Sequence, residues 1–261
     1  MTQAASVALV TGGSGGIAPA VAKVLIEDGH RVILTARREE PLQAAADKLA
    51  AETGAEVAAI SSDALDPASV KALVQTIIGR FGRIDILVNA AASSTPIGGA
   101  IEEVNVSALI GDLDTKVGGY LRYSQAVVPT MKAQGHGRIV NIGGLTGRSS
   151  DTLSGLRNAA VTHLTKVLAD QLGPTGITVN AVHPGIVRTP HLDELFAEMA
   201  HDQSSTPEAV EAEFVANIPT RRVLQPEEIG RAIAFLVSPH ATSVNGESVT
   251  VDGGYSRGIY L

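Results

Sequence analysis

Val7-Ala-Leu-Val-Thr-Gly-Gly-Ser-Gly-Gly-Ile-Ala18 decides how this chain is read. The apolar run Val7 to Val10 predicts a buried strand. It breaks into glycines and resumes as the helical pattern Pro19-Ala-Val-Ala-Lys-Val-Leu-Ile26. Strand, glycine turn and helix together are the context in which a glycine motif can cradle a dinucleotide pyrophosphate. The glycines let the backbone come close, and the helix N-terminus offers free N–H groups and partial positive charge. Pro19 suits a first turn, where its missing N–H costs nothing. A glycine-rich turn without a ligand is the plainer reading of the stretch alone.

Working outward, strands are expected at Arg31–Thr35, Glu56–Ile60, Ile86–Asn89, Arg138–Ile142, Thr178–Val182 and Ser248–Asp252. Helical patterns separate them at Glu39–Thr53, from Pro67 to Phe81, and at about Thr115–Gln134, Ser154–Leu172 and Pro226–Val237. Asp66 is the expected N-cap before Pro67. His183 to Leu224 is a long polar excursion with its own helical turns. Seven strands alternating with helices predict an α/β fold: a parallel, doubly wound sheet with helices on both faces. No repeat or linker interrupts it, so one domain over 1–261 is expected.

Composition narrows the function classes. Hydrophobic residues make up 44% of the 261, enough for a sizeable core. The net charge of -7, with no basic run, argues against nucleic acid. Without cysteine there is no disulfide, thiolate metal site or cysteine nucleophile. No His/Asp/Glu cluster has metal-ligand spacing, so no metal is expected. Neither a leader nor a membrane-length apolar stretch is evident, and a cytoplasmic protein is the default expectation.

The chain resembles the classical short-chain dehydrogenase/reductase family from end to end. The resemblance rests on Thr11-Gly12-x-x-x-Gly16-Ile17, Asp63-Ala64, Leu87-Val88-Asn89-Ala90, Asn180-Ala-Val-His-Pro184-Gly185, Thr189-Pro190, Pro226-Glu-Glu-Ile229 and Val251-Asp-Gly-Gly254. It implies a seven-stranded single-domain Rossmann fold, and a substrate-covering segment at about 191–220. It also implies a homotetramer or dimer packed through the helices at Thr115–Gln134 and Ser154–Leu172. Its cofactor residues fall on Gly12, Ser14, Gly16, Ile17, Asp63, Ala64, Asn89, Pro184, Gly185 and Thr189. Asp63 takes the adenine place, Asn89 supports the sheet near the ribose, and Thr189 the nicotinamide place.

Where an NAD-specific site carries an acidic residue beyond the glycines, this chain has Ala36, then Arg37 and Arg38. A guanidinium can hold a 2′-phosphate that a carboxylate would repel, which favours NADP(H) over NAD(H). A solvated surface pair is the plainer account of the arginines. Two small departures are Ala18 at the third glycine and Ala92 after Asn89; each methyl is expected to narrow the cofactor space.

The catalytic places are replaced throughout. The resemblance puts Ser154 at the family's proton-donating Tyr, Asn158 at its Lys, Gly144 at its carbonyl-polarising Ser and Lys116 at its Asn. None of Tyr120, Tyr123, Tyr255 and Tyr260 has Lys four residues on. A serine hydroxyl lies well above a phenol, whose pKa is about 10, and neutral Asn158 cannot lower it. Losing a general acid typically removes about 10²–10⁴ in rate. Arg157, near the Lys place, is a candidate for anion binding or catalysis, or else for a structural role. Arg148, Ser149, Ser150 and Asp151 lie in a shortened loop nearby, and His183 is expected to pack.

Three readings stand. One is a divergent oxidoreductase that binds NADP(H) and acts on a small carbonyl or alcohol by a non-standard mechanism, using water, substrate groups, Lys116 or Arg157. Another is non-redox chemistry such as elimination, isomerisation or decarboxylation, with an anion held by Arg157 or Lys116; halohydrin dehalogenases do non-redox chemistry on this fold. The last is a catalytically silent nucleotide sensor or partner subunit.

Overall fold

The computed structural model describes residues 5–92, 97–148 and 152–258. Seven strands form one parallel sheet in the order β3-β2-β1-β4-β5-β6-β7. They are β1 (Val7–Thr11), β2 (Arg31–Thr35), β3 (Ala58–Ala59), β4 (Ile86–Asn89), β5 (Gly137–Ile142), β6 (Ile177–Pro184) and β7 (Ser248–Val251). Every residue of β1, β4, β5 and β6 is buried, as expected where helices cover both faces of a parallel sheet.

Helices α1 (Ala18–Glu27), α2 (Glu39–Thr53), α3 (Pro67–Phe81), α4 (Val106–Leu113), α5 (Gly119–Gln134), α6 (Gly155–Leu172), α7 (Pro190–Asp202), α8 (Pro207–Val215) and α9 (Pro226–Val237) complete the chain. Alternation along β1 sends Ala8 and Val10 into one core with Val21 of α1, Leu42 of α2 and Ile229 of α9. Val7 and Leu9 enter the opposite core with Val70 of α3, Val127 of α5 and Ala169 of α6. Asp66 caps α3, its Oδ1 accepting the Ala68 N–H at 2.9 Å.

Three elements differ from expectation. β3 is two residues rather than five, because only Ala58 and Ala59 pair in register with Ile33 and Leu34. β6 runs on to Pro184, since its end pairs with β7. The helix expected from Thr115 begins about two and a half turns earlier, at α4, whose N-cap Asn105 accepts the Ala108 N–H at 3.0 Å. Between α4 and α5 lies a π-helical turn over Asp114–Gly118. Arg122 ties that turn down, donating to Asp114 Oδ1 at 2.6 Å and to the Ala64 carbonyl at 3.0 Å.

The excursion after β6 folds into α7 and α8. Phe196 and Phe214 meet edge-on at 5.2 Å, and Arg188 pairs with both Asp193 and Glu211. A bridge between Val187 and Leu224 closes the base of this unit. Among the described residues no helix is long and apolar enough to cross a membrane, and no metal-ligating cluster occurs.

Candidate active site

The strand order reverses direction between β1 and β4, the point at which open α/β sheets leave a crevice at their carboxyl ends. Thr11 Oγ1 pins the crevice, accepting the Ala90 and Ala91 N–H groups at 2.9 and 3.2 Å. Gly12 turns there at φ +72°, and a Cβ would lie 2.9 Å from the Ala90 carbonyl oxygen. At Gly16 a Cβ would come within 2.7 Å of Thr189 Cγ2. The glycines therefore hold the β1–α1 turn against the segments after β4 and β6. Asp66, Asn105, Thr189 and Thr206 cap α3, α4, α7 and α8, but no side chain caps α1, so its leading N–H groups remain for a ligand.

Ser14 and Ile17 are half-buried in this turn. Arg37 and Arg38 are exposed just past β2, and neither makes an ion pair among the described residues. Ser61 Oγ donates to the Arg37 carbonyl at 3.0 Å, which joins their loop to that of Asp63 and Ala64. Asp63 Oδ1 accepts the Leu65 N–H at 2.9 Å. Asn89 Nδ2 donates to Asn141 Oδ1 at 2.8 Å, while its own buried Oδ1 has no partner among the described residues. Thr189 caps α7. A glycine cradle, an uncapped helix and an orphaned buried acceptor fit a dinucleotide. Ala18 does not narrow that space: its methyl is buried in the core. Ala92 does line the crevice.

Next to the cradle opens a cavity of about 920 Å³. Ile17, Pro184 and Gly185 line it, as do Lys116, Gly144, Arg157 and Asn158. Lys116 projects inward from the π-helical turn and is only 4% exposed. Its Nζ donates to Asn158 Oδ1 at 2.8 Å and to the Gly143 carbonyl at 3.0 Å. Burial, reinforced by the Arg157 charge and opposed by Asp112, lowers its pKa from 10.5 to about 7. Asn158 in turn donates to Thr146 Oγ1 at 2.7 Å.

Gly144 has no room for a side chain as the wall stands, since a Cβ there would lie 2.8 Å from Asn158 Nδ2. Arg157 is engaged by Asp112 of α4 in a nearly buried ion pair. Tyr120 donates its hydroxyl to the Ile142 carbonyl at 3.0 Å, and burial pushes its pKa up. His183 packs as expected: it is buried, Nδ1 accepts the Gly144 N–H at 3.1 Å, and Nε2 lies 3.2 Å from Thr162 Oγ1.

The structure thus brings Lys116, Gly144, Asn158 and Arg157 to one wall. Ser154 is not on it. Its hydroxyl is buried and accepts the Ile97 N–H at 2.8 Å. Ser149, Ser150, Asp151 and the Arg148 side chain lie outside the described residues. Sequence reasoning missed Asp112, Tyr255 and Arg257, the last two of which line the cavity mouth. Asp112 carries no local signal, because its partner is 45 residues away.

Fold and site together define a Rossmann protein with a dinucleotide cradle opening onto a substrate-sized cavity. The family model of the enoyl-(acyl carrier protein) reductases matches residues 12–256. A putative ketoacyl reductase of the monensin polyketide synthase from Streptomyces virginiae is 39% identical, covering 97% of this chain and 98% of its own. The L-sorbose reductase of Gluconobacter frateurii, solved with NADPH and L-sorbose, superposes with a TM-score of 0.91 at 28% identity over 98% of both chains. An actinorhodin polyketide ketoreductase variant solved with NADPH gives 0.89 at 33% identity, over 98% of this chain and 99% of its own. The chain belongs to the short-chain dehydrogenase/reductase family.

Proposed function

We propose that this protein binds NADP(H) in preference to NAD(H) and interconverts a small carbonyl compound and its alcohol without the tyrosine its family uses. The observation that carries the reading is the continuity of one cavity from Ile17, Pro184 and Gly185 to Lys116 and Asn158. A nicotinamide at one end would face a substrate at the other. The relatives named as ketoacyl and polyketide ketoreductases point to a keto group as the substrate function.

In this reading Gly12, Ser14, Gly16 and Ile17 cradle the pyrophosphate, and Arg37 and Arg38 take the 2′-phosphate. Asp63 and Ala64 border the adenine, and Asn89 supports the ribose side. Pro184, Gly185 and Thr189 flank the nicotinamide. The cofactor, when bound, supplies or accepts hydride. The chain orients the substrate, excludes water with α7 and α8, and manages the proton. The ion pair with Asp112 gives Arg157 a bracing role and weighs against the anion-binding, non-redox reading.

A second copy of the chain is proposed to cover the outer face of α4 and α6, where Val106, Ile110 and Leu156 are exposed. The expected product is a dimer or tetramer.

The reductase reading is tested by following NADPH absorbance with acetoacetyl-N-acetylcysteamine and a panel of small ketones and diketones. Substrate-dependent loss of NADPH is expected. Tight NADPH binding with no turnover across the panel would favour the silent-subunit reading instead.

A further inference from the structure

The cavity wall leaves few groups able to hand a proton to a reacting oxygen. Tyr120 spends its hydroxyl on the Ile142 carbonyl. Arg157 is engaged by Asp112, and a guanidinium keeps its charge at any ordinary pH. Tyr255 stands at the exposed mouth. The buried amine of Lys116 is left.

Its geometry suits proton transfer. An ammonium has three N–H donors and an amine two, plus a lone pair. The Gly143 carbonyl and Asn158 Oδ1 accept two N–H bonds in either state. The remaining direction alternates between a proton and a lone pair, so Lys116 can lose and regain a proton without leaving its place. The π-helical turn sets that position, as such turns often do at working sites. Amine and amide also occupy each other's family places: Lys116 stands at the Asn place and Asn158 at the Lys place, and the two touch at 2.8 Å.

We propose that Lys116 Nζ is the proton donor to the substrate oxygen in reduction, and the acceptor in oxidation, with Arg157 and Asp112 as its positioning pair. This rests on the reductase reading. As the carbonyl carbon gains hydride from reduced nicotinamide, the C=O π pair moves to oxygen. That oxygen takes H⁺ from Nζ: the N–H bond breaks, an O–H bond forms, and water reprotonates the amine. The groups around Nζ are Asp112 from α4, Tyr120 from α5, Arg157 and Asn158 from α6, and His183 of β6 through Gly144. Burial and Arg157 set the amine near neutrality, where a general acid works best at physiological pH.

Two readouts test this. In the protein without cofactor, competitive acetylation by acetic anhydride, read by mass spectrometry against pH, should give Lys116 a midpoint near 7. R157Q should move the Lys116 midpoint upward, since Asp112 is then unopposed. In NADPH-dependent reduction of acetoacetyl-N-acetylcysteamine, kcat should fall as pH rises through the same midpoint. K116R keeps the charge but cannot release the proton, and K116Q removes the charge; each should lose about 100-fold or more in kcat. K116R should hold its NADPH Kd within about twofold. A Lys116 midpoint near 10 would overturn the proposal, as would near-normal kcat in K116R. So would a 100-fold loss confined to Y255F. If wild type consumes no NADPH with any carbonyl, the reductase reading fails, and this proposal with it. Turnover that survives in K116R fails the proposal alone.

Discussion

Lys116 shows how a single residue couples stability to chemistry. Its folded pKa of about 7 lies below the ordinary 10.5, so between those values the unfolded chain binds more protons than the folded one. Stability contributed through this group must therefore rise with pH across that window. Below about 7 both states hold the proton, and the cost of burying it is present in full. Urea titrations of wild type and K116M should show wild type gaining on the variant from neutral pH upward; parallel profiles would contradict the assignment. Ser154 makes the opposite point. Its position suggests a displaced catalytic residue, yet its hydroxyl serves the Ile97 N–H. S154A should cost about 1 kcal/mol of stability in chemical denaturation and leave NADPH affinity unchanged.

At the scale of elements, the strands and their flanking helices were legible because periodicity is a local property. The glycine turn, the Asp66 cap and the all-buried strands all follow from short windows of sequence. What a 3.6-residue period hides is a π-helical turn, which inserts extra backbone without changing the composition around it. The same turn decides where Lys116 points. The Asp112–Arg157 and Lys116–Asn158 contacts span 45 and 42 residues, and no window reads those distances. Packing of α9 on α1 was equally silent: at Gly230 a Cβ would lie 2.9 Å from Val24 Cγ2 and 3.3 Å from the Ala20 carbonyl. G230A should cost about 1–3 kcal/mol by overpacking. It should also weaken NADPH binding, because α1 opens from the glycine cradle. Intact affinity in a destabilised variant would uncouple the two.

For the whole molecule, sheet order and cavity follow from the βαβ crossovers, while the family resemblance supplied the places at which to expect site residues. The resemblance could not tell which of the expected site residues share a wall: Lys116, Gly144 and Asn158 do, together with the candidate Arg157, and Ser154 does not. The assembly proposal belongs to this scale. L156E places a charge on the exposed face shared by α4 and α6, and light scattering should find smaller species than wild type forms; an unchanged mass would place the interface elsewhere.

Nucleotide binding comes before any chemistry in the proposed reductase. The most direct test is parallel titration of NADPH and NADH by nicotinamide fluorescence, in wild type and in an R37A/R38A variant. NADPH should bind at least about tenfold more tightly than NADH, with the preference lost in the variant, as expected for charge-assisted hydrogen bonds to a 2′-phosphate. No binding of either nucleotide at millimolar concentration, or a preference that survives without both arginines, would contradict the proposed cofactor site.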